Sequence, residues 1–293
     1  MYPSLRDIRI VCFSGTGGAR RAAEALLREF TAQGASASLL MLEGPALRGG
    51  WGKEAKPDLL VLVFAVHAFD APQPVYDWLR DTDLAGVRGA VLSVSGGGEV
   101  WPNTGCRAAL IAALGAHGCT VNYDRMLIMP SNVAVDVGDH AAMHMLRVLP
   151  VKAKAIADDL LAGRERHDPR RLSSFRRWFS ALEKRQAHEI SGKYRLDGCT
   201  GCGWCARNCP TGSIAMQEGK PVFQNGCVAC LRCVYGCPAH AIKSGYRVVV
   251  FPKGFDLDAL EKRMEGVELK PVEQCCKGWA WAGVRKYLLN PDE

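Results

Sequence analysis

The chain lacks any long hydrophobic run. Its longest apolar stretch, Leu59–Val66, ends at His67 and falls far short of the roughly 20 residues that a membrane-spanning helix needs. No transmembrane segment is therefore expected, and Met1–Arg9 lacks the apolar core of a secretory leader because charges interrupt it. Nor is there a disordered composition: 48% hydrophobic and 23% charged residues over 293 positions are ordinary globular values, with length enough for two domains. A broad charge imbalance is also missing. The net charge of +7 comes mostly from one segment, 164–188, with eight basic and three acidic residues; 1–163 has 15 and 16, and 189–293 has 14 and 11. With no base-reading element beside it, that segment gives little support to nucleic-acid binding. No constellation of acid, base and nucleophile stands out, so no catalytic residue is assigned.

What the chain does have is cysteine in a strict pattern. Cys199, Cys202, Cys205 and Cys209, followed by Pro210, form C-x2-C-x2-C-x3-C-P, and Cys227, Cys230, Cys233 and Cys237, followed by Pro238, repeat it. This is the signature of two [4Fe-4S] clusters: three closely spaced thiolates wrap one face of a cubane and a fourth comes from farther along. In the bacterial ferredoxin pattern the fourth Cys serves the other cluster. One cluster is accordingly expected on Cys199, Cys202, Cys205 and Cys237, and the second on Cys227, Cys230, Cys233 and Cys209. A zinc ribbon would leave the third and fourth cysteines surplus, and a disulfide scaffold fits poorly with the missing leader. Each oxidised cluster carries about two negative charges, which brings the loaded chain nearer to neutral. Cys12, Cys106, Cys119, Cys275 and Cys276 lie outside the motif, and so many thiols fit a reducing, cytoplasmic setting.

The first half alternates apolar runs with helical patterns. Ile8–Phe13, Ala37–Glu43, Leu59–Ala65, Val87–Val94 and Cys119–Met129 read as strands. Ala19–Gln33, Pro72–Asp83, Asn103–His117 and Gly138–Ala162 read as helices. Five strands alternating with helices imply a doubly wound parallel sheet, which binds ligands at the carboxyl ends of its strands. Ser14, Gly15, Thr16, Gly17, Gly18 and Ala19 stand at the end of the first strand and open the first helix. Backbone N–H groups, two hydroxyls and a helix N-terminus suit a phosphate there. The loop is neither a Walker P-loop nor a G-x-G-x-x-G turn, and by itself it reads equally well as a Gly-rich turn. Further loops follow the third strand, with His67, Ala68 and Phe69, and the fourth, with Ser95, Gly96, Gly97, Gly98 and Trp101.

With these loops in place the chain resembles the flavodoxin-ferredoxin fusion proteins of anaerobes, from Ile8 to about Lys243. The resemblance implies a five-stranded flavodoxin-like sheet followed by an α+β two-cluster ferredoxin domain. It also implies FMN, with Ser14–Ala19 around the phosphate and the His67–Phe69 and Ser95–Trp101 loops along the ring. The family's phosphate loop carries Asn then Thr or Ser where this chain has Gly18 and Ala19. Arg20 or Arg21 could supply charge instead, although solvated helix residues are the plainer reading.

The expected organisation is 1–163 for FMN, a basic amphipathic linker at 164–190, a two-cluster ferredoxin domain at 191–250 and a helical extension at 251–293. In the linker Leu172, Phe175, Phe179 and Leu182 fall at helical spacing; packing on the chain itself is preferred to docking on an acidic partner or a membrane surface. Tyr246–Pro252 reads as a strand, and Asp256–Met264 and Glu273–Leu289 as helices. Cys275 and Cys276 read as buried inert thiols. The expected function is electron transfer between two [4Fe-4S] clusters and FMN, serving unidentified redox proteins. The alternative is an FMN-dependent reductase with His67 as proton donor.

Overall fold

The computed structural model describes residues 7–47, 55–100, 103–133, 135–168, 193–244, 250–251 and 253–290. The proposed linker stripe and most of the Tyr246–Pro252 strand lie outside these residues, as does Trp101.

Strands β1 (Asp7–Phe13), β2 (Ser36–Met41), β3 (Leu59–Ala65), β4 (Arg88–Ser95) and β5 (Thr120–Ile128) alternate with helices α1 (Gly18–Ala32), α2 (Gln73–Arg80), α3 (Ala108–Ala116) and α4 (Asp139–Leu161). All strand pairs of this sheet are parallel, in the order β2-β1-β3-β4-β5, which is the flavodoxin-like arrangement. A short sixth strand, β6 (Arg166–His167), adds to β5, so the sheet has one more strand than the five expected from the sequence.

Alternation along the strands sorts side chains between two cores. Ile8, Ile10, Val61, Val63 and Leu92 pack with Ala22, Leu26 and Phe30 of α1 and with Leu149 and Ile156 of α4. Val11, Phe13, Leu60, Leu62, Phe64 and Val91 pack with Val75 and Trp78 of α2 and Leu110 and Leu114 of α3. The third helix is shorter than expected, because Asn103–Gly105 forms a separate 3-10 turn ahead of it.

The cysteine-rich module pairs β7 (Arg195–Leu196) with β10 (Ile242–Lys243), and β8 (Ile214–Gln217) with β9 (Lys220–Phe223). Two one-turn helices, α5 (Trp204–Arg207) and α6 (Arg232–Tyr235), sit at matching places in the two repeats. In the extension, α7 (Leu257–Arg263) is capped by Asp256, whose carboxylate accepts from the amides of Asp258 at 2.9 Å and Ala259 at 3.0 Å. The single helix expected over Glu273–Leu289 is instead broken into α8 (Val272–Cys275), a 3-10 turn at Trp279–Trp281 and α9 (Ala282–Leu289). Gly278, at φ +83°, makes the break. Val272, Cys276, Val284 and Leu288 pack on Ile128, Ala141, Met145 and Val148, so the extension covers α4. Among the described residues no helix is long and apolar enough to cross a membrane.

Candidate flavin and iron-sulfur sites

The glycine-rich loop lies where β1 delivers the chain to α1. Gly17 takes the left-handed conformation at φ +99° and precedes a helix with no side-chain cap. The first-turn amides of such a helix have no acceptor within it and point at whatever lies ahead. Ser14 is buried, and its hydroxyl accepts from the Gly17 amide at 3.2 Å. Thr16 Oγ1 accepts from the Asn132 side-chain amide at 2.9 Å. Both hydroxyls act here as acceptors, so each keeps its own O–H to offer an anion. A Cβ on Gly18 would meet only Met129, at 3.7 Å, which leaves the helix entrance open. These donors fit the phosphate of FMN. Arg20 and Arg21 are both committed to ion pairs away from the loop: Arg20 pairs with Glu43 at 3.1 Å, and Arg21 ties α1 to α7 through Asp258 and through Glu261 at 2.7 Å.

The two neighbouring loops are built with little slack. Ala68 and Phe69 both adopt positive φ, +48° and +60°, a conformation costing about 1–3 kcal/mol at a non-glycine residue. The turn is closed by paired backbone hydrogen bonds between His67 and Asp70, at 2.9 and 3.0 Å, and Tyr76 donates to the Asp70 carboxylate at 2.8 Å. After β4, the Asn103 amide donates to Ser95 Oγ at 2.9 Å and to the Gly98 carbonyl at 3.3 Å. Gly96 lies so close to the loop after β5 that a Cβ would be 2.6 Å from Ser131 Cβ, and one on Gly98 would be 2.7 Å from Ile128 Cδ1. Buried Arg107 anchors this loop from below. It donates to Asp124 at 2.9 Å and Ser93 at 2.7 Å, and forms an ion pair with Glu99 at 2.6 Å that lacks hydrogen-bond alignment.

The eight motif cysteines form two groups that cross the repeats. Cys199, Cys202, Cys205 and Cys237 line one cavity of about 310 Å³ of empty space, open portion included, with apolar walls from Met216, Pro221, Ala239 and Ile242. Among the described residues no three His, Cys, Asp or Glu side chains are placed to hold a single metal ion. Burial raises the Cys205 thiol, and Cys237 and Cys199 add to the rise. Around Cys230 burial again dominates, and the adjacent thiols are Cys227 and Cys209; around Cys233 they are Cys230, Cys227, Cys209 and, last, Cys205. Cys209 and Cys237 thus each stand with the other repeat's trio. Beside the second group the buried Tyr194 hydroxyl has no hydrogen-bond partner among the described residues. Burial pushes that phenol upward, and Cys233, Cys227 and Cys230 push the same way. An orphaned donor facing three thiols fits a sulfur-rich acceptor. All thirteen cysteines are free of disulfides. Burial lifts Cys106, Cys119 and Cys276 to about 11, which keeps them unreactive thiols at neutral pH.

How the two sites meet has no local signature in the sequence. A Cβ on Gly15 would lie 2.6 Å from the Cys230 carbonyl oxygen and 2.7 Å from its Cβ. Arg232, inside the second Cys loop, donates to the carbonyls of Gly15 at 2.8 Å and Ser14 at 2.7 Å, and pairs with Glu43 at 2.5 Å. His67 Nδ1 lies 2.9 Å from the Val228 carbonyl, so it carries the proton of that bond. Tyr235 donates to the Asn132 carbonyl at 2.7 Å, and the Gly44 amide donates to the Pro210 carbonyl at 3.1 Å. Pro130-Ser131-Asn132, a turn signal at the carboxyl end of the fifth strand, could have pointed to Asn132. Nothing local pointed to Arg232.

Residues 193–215 match the family described as a 4Fe-4S binding domain, which assigns the chain at least one such site. No curated protein matches the chain. Among solved structures, the chain is similar to a Streptococcus pneumonia TIGR4 flavodoxin at 13% identity, covering 54% of this chain and 99% of that one with a TM-score of 0.38. It is similar to Flavodoxin 2 from Bacillus cereus at 18% identity, over 54% and 98% with a TM-score of 0.38. An NAD(P)H:quinone oxidoreductase from Methanothermobacter marburgensis is similar at 14% identity, over 56% and 99% with a TM-score of 0.40. These likenesses are too distant to bear on ligand or activity; the flavodoxin-like arrangement rests on the strand order itself.

Proposed function

We propose that this protein is an electron-transfer flavo-iron-sulfur protein that carries FMN on its sheet and two [4Fe-4S] clusters in the following module, and exchanges electrons between them. The carrying observation is the seating of Cys230 on Gly15, which brings the second Cys group against the phosphate loop. When bound, the clusters would supply one-electron exchange and FMN one- or two-electron exchange. Ser14, Thr16 and the amides of Gly18 and Ala19 would hold the phosphate, with Gly15 and Gly17 shaping the loop; the His67–Phe69 and Ser95–Gly98 loops, with Trp101, would flank the ring. Cys199, Cys202, Cys205 and Cys237 would hold one cluster, and Cys227, Cys230, Cys233 and Cys209 the other. The chain's own task is to fix the separation, and Arg232, Asn132 and Tyr235 do that from the interface. His67 directs its Nδ1 proton to Val228, a docking role that suits a carrier. Thiolate ligands of this number suit a reducing compartment such as the cytoplasm.

Anaerobic reconstitution tests the loading. About eight iron, eight sulfide and one FMN per chain are expected, from two four-iron cubanes and one mononucleotide site. Cys237→Ala should remove the cluster of Cys199, Cys202 and Cys205 and spare the other. Recovery of FAD, or loss of only the second repeat's cluster, would count against the assignment.

A further inference from the structure

The two Cys loops share one backbone design and meet different surroundings. Gly201 and Gly203 of the first repeat have φ +70° and +72°; their counterparts Ala229 and Leu231 hold φ +51° and +63°. The second loop is the one seated on the sheet, with Cys230 buried against Gly15 and Arg232 reaching two carbonyls and Glu43. In the first repeat, the matching Cys202 is exposed.

Exposed cations lie beside that loop and on the two ribbons that border its cavity. Arg207 is exposed and donates to the Cys202 carbonyl at 2.9 Å. Lys220 opens β9, whose neighbour Pro221 lines the Cys202 cavity together with Met216 of β8. Lys243 pairs in register with Arg195 on the ribbon whose Ile242 also lines the cavity. Over residues 193–244 the exposed charges are Lys193, Arg195, Arg207, Lys220 and Lys243 against Asp197 and Glu218. Met216 and Val222 add exposed apolar area on the hairpin. A charged rim around a small apolar centre is the makeup of a transient contact surface.

We infer that the Cys202 loop is a docking face for a separate one-electron carrier whose own contact surface is acidic, used as the Cys230 loop is used within the chain. The inference rests on the proposed iron-sulfur function and names the partner's chemistry. The exchange is a single-electron transfer: the reduced partner loses one electron, this protein gains one, and no bond forms or breaks.

The test mixes the fully loaded chain, without oxygen, with a reduced, strongly acidic [2Fe-2S] ferredoxin as probe, following iron-sulfur and flavin absorbance separately. The second-order rate should fall about tenfold between roughly 20 mM and roughly 300 mM salt, since steering between opposite charges is screened. Lys220→Glu should lower the low-salt rate about fivefold and Glu218→Lys should raise it, while photoreduced deazaflavin should reduce both variants like the parent. Carbodiimide should cross-link the probe's carboxylates to Lys220 or Lys243. A rate insensitive to salt and to Lys220→Glu, or one equally fast from a basic donor, would overturn the docking face. Salt-dependent iron-sulfur bleaching with no flavin change would keep the face and refute the internal exchange; flavin reduction without salt dependence would do the reverse.

Discussion

Gly15→Ala is expected to push the second Cys loop off the sheet, whereas Gly18→Ala, three residues away in the same loop, should be tolerated. The added methyl at Gly15 would stand 2.6 Å from the Cys230 carbonyl oxygen and 2.7 Å from its Cβ. Neither atom is the far end of a flexible side chain, so the contact yields only if backbone moves. Overpacking of this kind costs about 1–3 kcal/mol where neighbours can adjust, and more where they cannot. Moving Cys230 also strains the Arg232 bonds to Ser14 and Gly15, which are 2.7 and 2.8 Å long. At Gly18 the methyl would meet only Met129 at 3.7 Å, and a helix position prefers Ala to Gly by up to about 1 kcal/mol. Amide hydrogen exchange over 227–235 should rise in the first variant and stay unchanged in the second. Equal exchange in both would show that the contact does not hold the modules together.

Arg107→Ala, just ahead of α3, should be strongly destabilising. The guanidinium is 1% exposed and the Asp124 carboxylate it binds is fully buried, so removing the cation takes away the charged partner of a core carboxylate that otherwise keeps His167, 3.0 Å away. Breaking a buried pair from one side costs about 3–5 kcal/mol. Ser93 Oγ loses its 2.7 Å donor as well, and Glu99 loses its 2.6 Å counter-ion. Burial already raises the Glu99 carboxyl pKa and Arg107 opposes that rise. In the variant the opposition is gone and the folded pKa moves further above the unfolded one. The folded state then binds the proton more readily, so the deficit should shrink as pH falls below the raised pKa and grow as pH climbs through it. Denaturant midpoints of parent and variant across mildly acidic to neutral pH would show this convergence; parallel curves would argue that Glu99 is not held by Arg107. Because Glu99 follows Ser95–Gly98, flavin affinity should drop alongside stability.

Much of this architecture was legible because parallel buried strands write themselves as continuous apolar runs. Leu59–Ala65 was read with its observed bounds, and the other four strands with ends displaced by one or two residues. Strand β6 was invisible for the opposite reason. Arg166 and His167 are polar, and their place is set by tertiary partners, His167 lying 3.0 Å from Asp124. The helix expected over Glu273–Leu289 was a misreading of apolar spacing across Gly278, whose conformation interrupts the turn. The iron-sulfur motif was legible because cluster chemistry imposes its own spacing. The interface was not, since Arg232 and Gly15 lie 217 positions apart and neither carries a local pattern that names the other.

The most direct measurement of the central claim is the rate at which reduced clusters reduce the flavin bound in the same molecule. With the second Cys group seated on the phosphate loop, that rate should not change when protein is diluted tenfold, and it should collapse when Cys202→Ala and Cys230→Ala remove the clusters while FMN remains bound. A rate that falls in proportion to dilution, or a cluster-free variant whose flavin is reduced by a ferredoxin-type donor as fast as the parent's, would contradict the account.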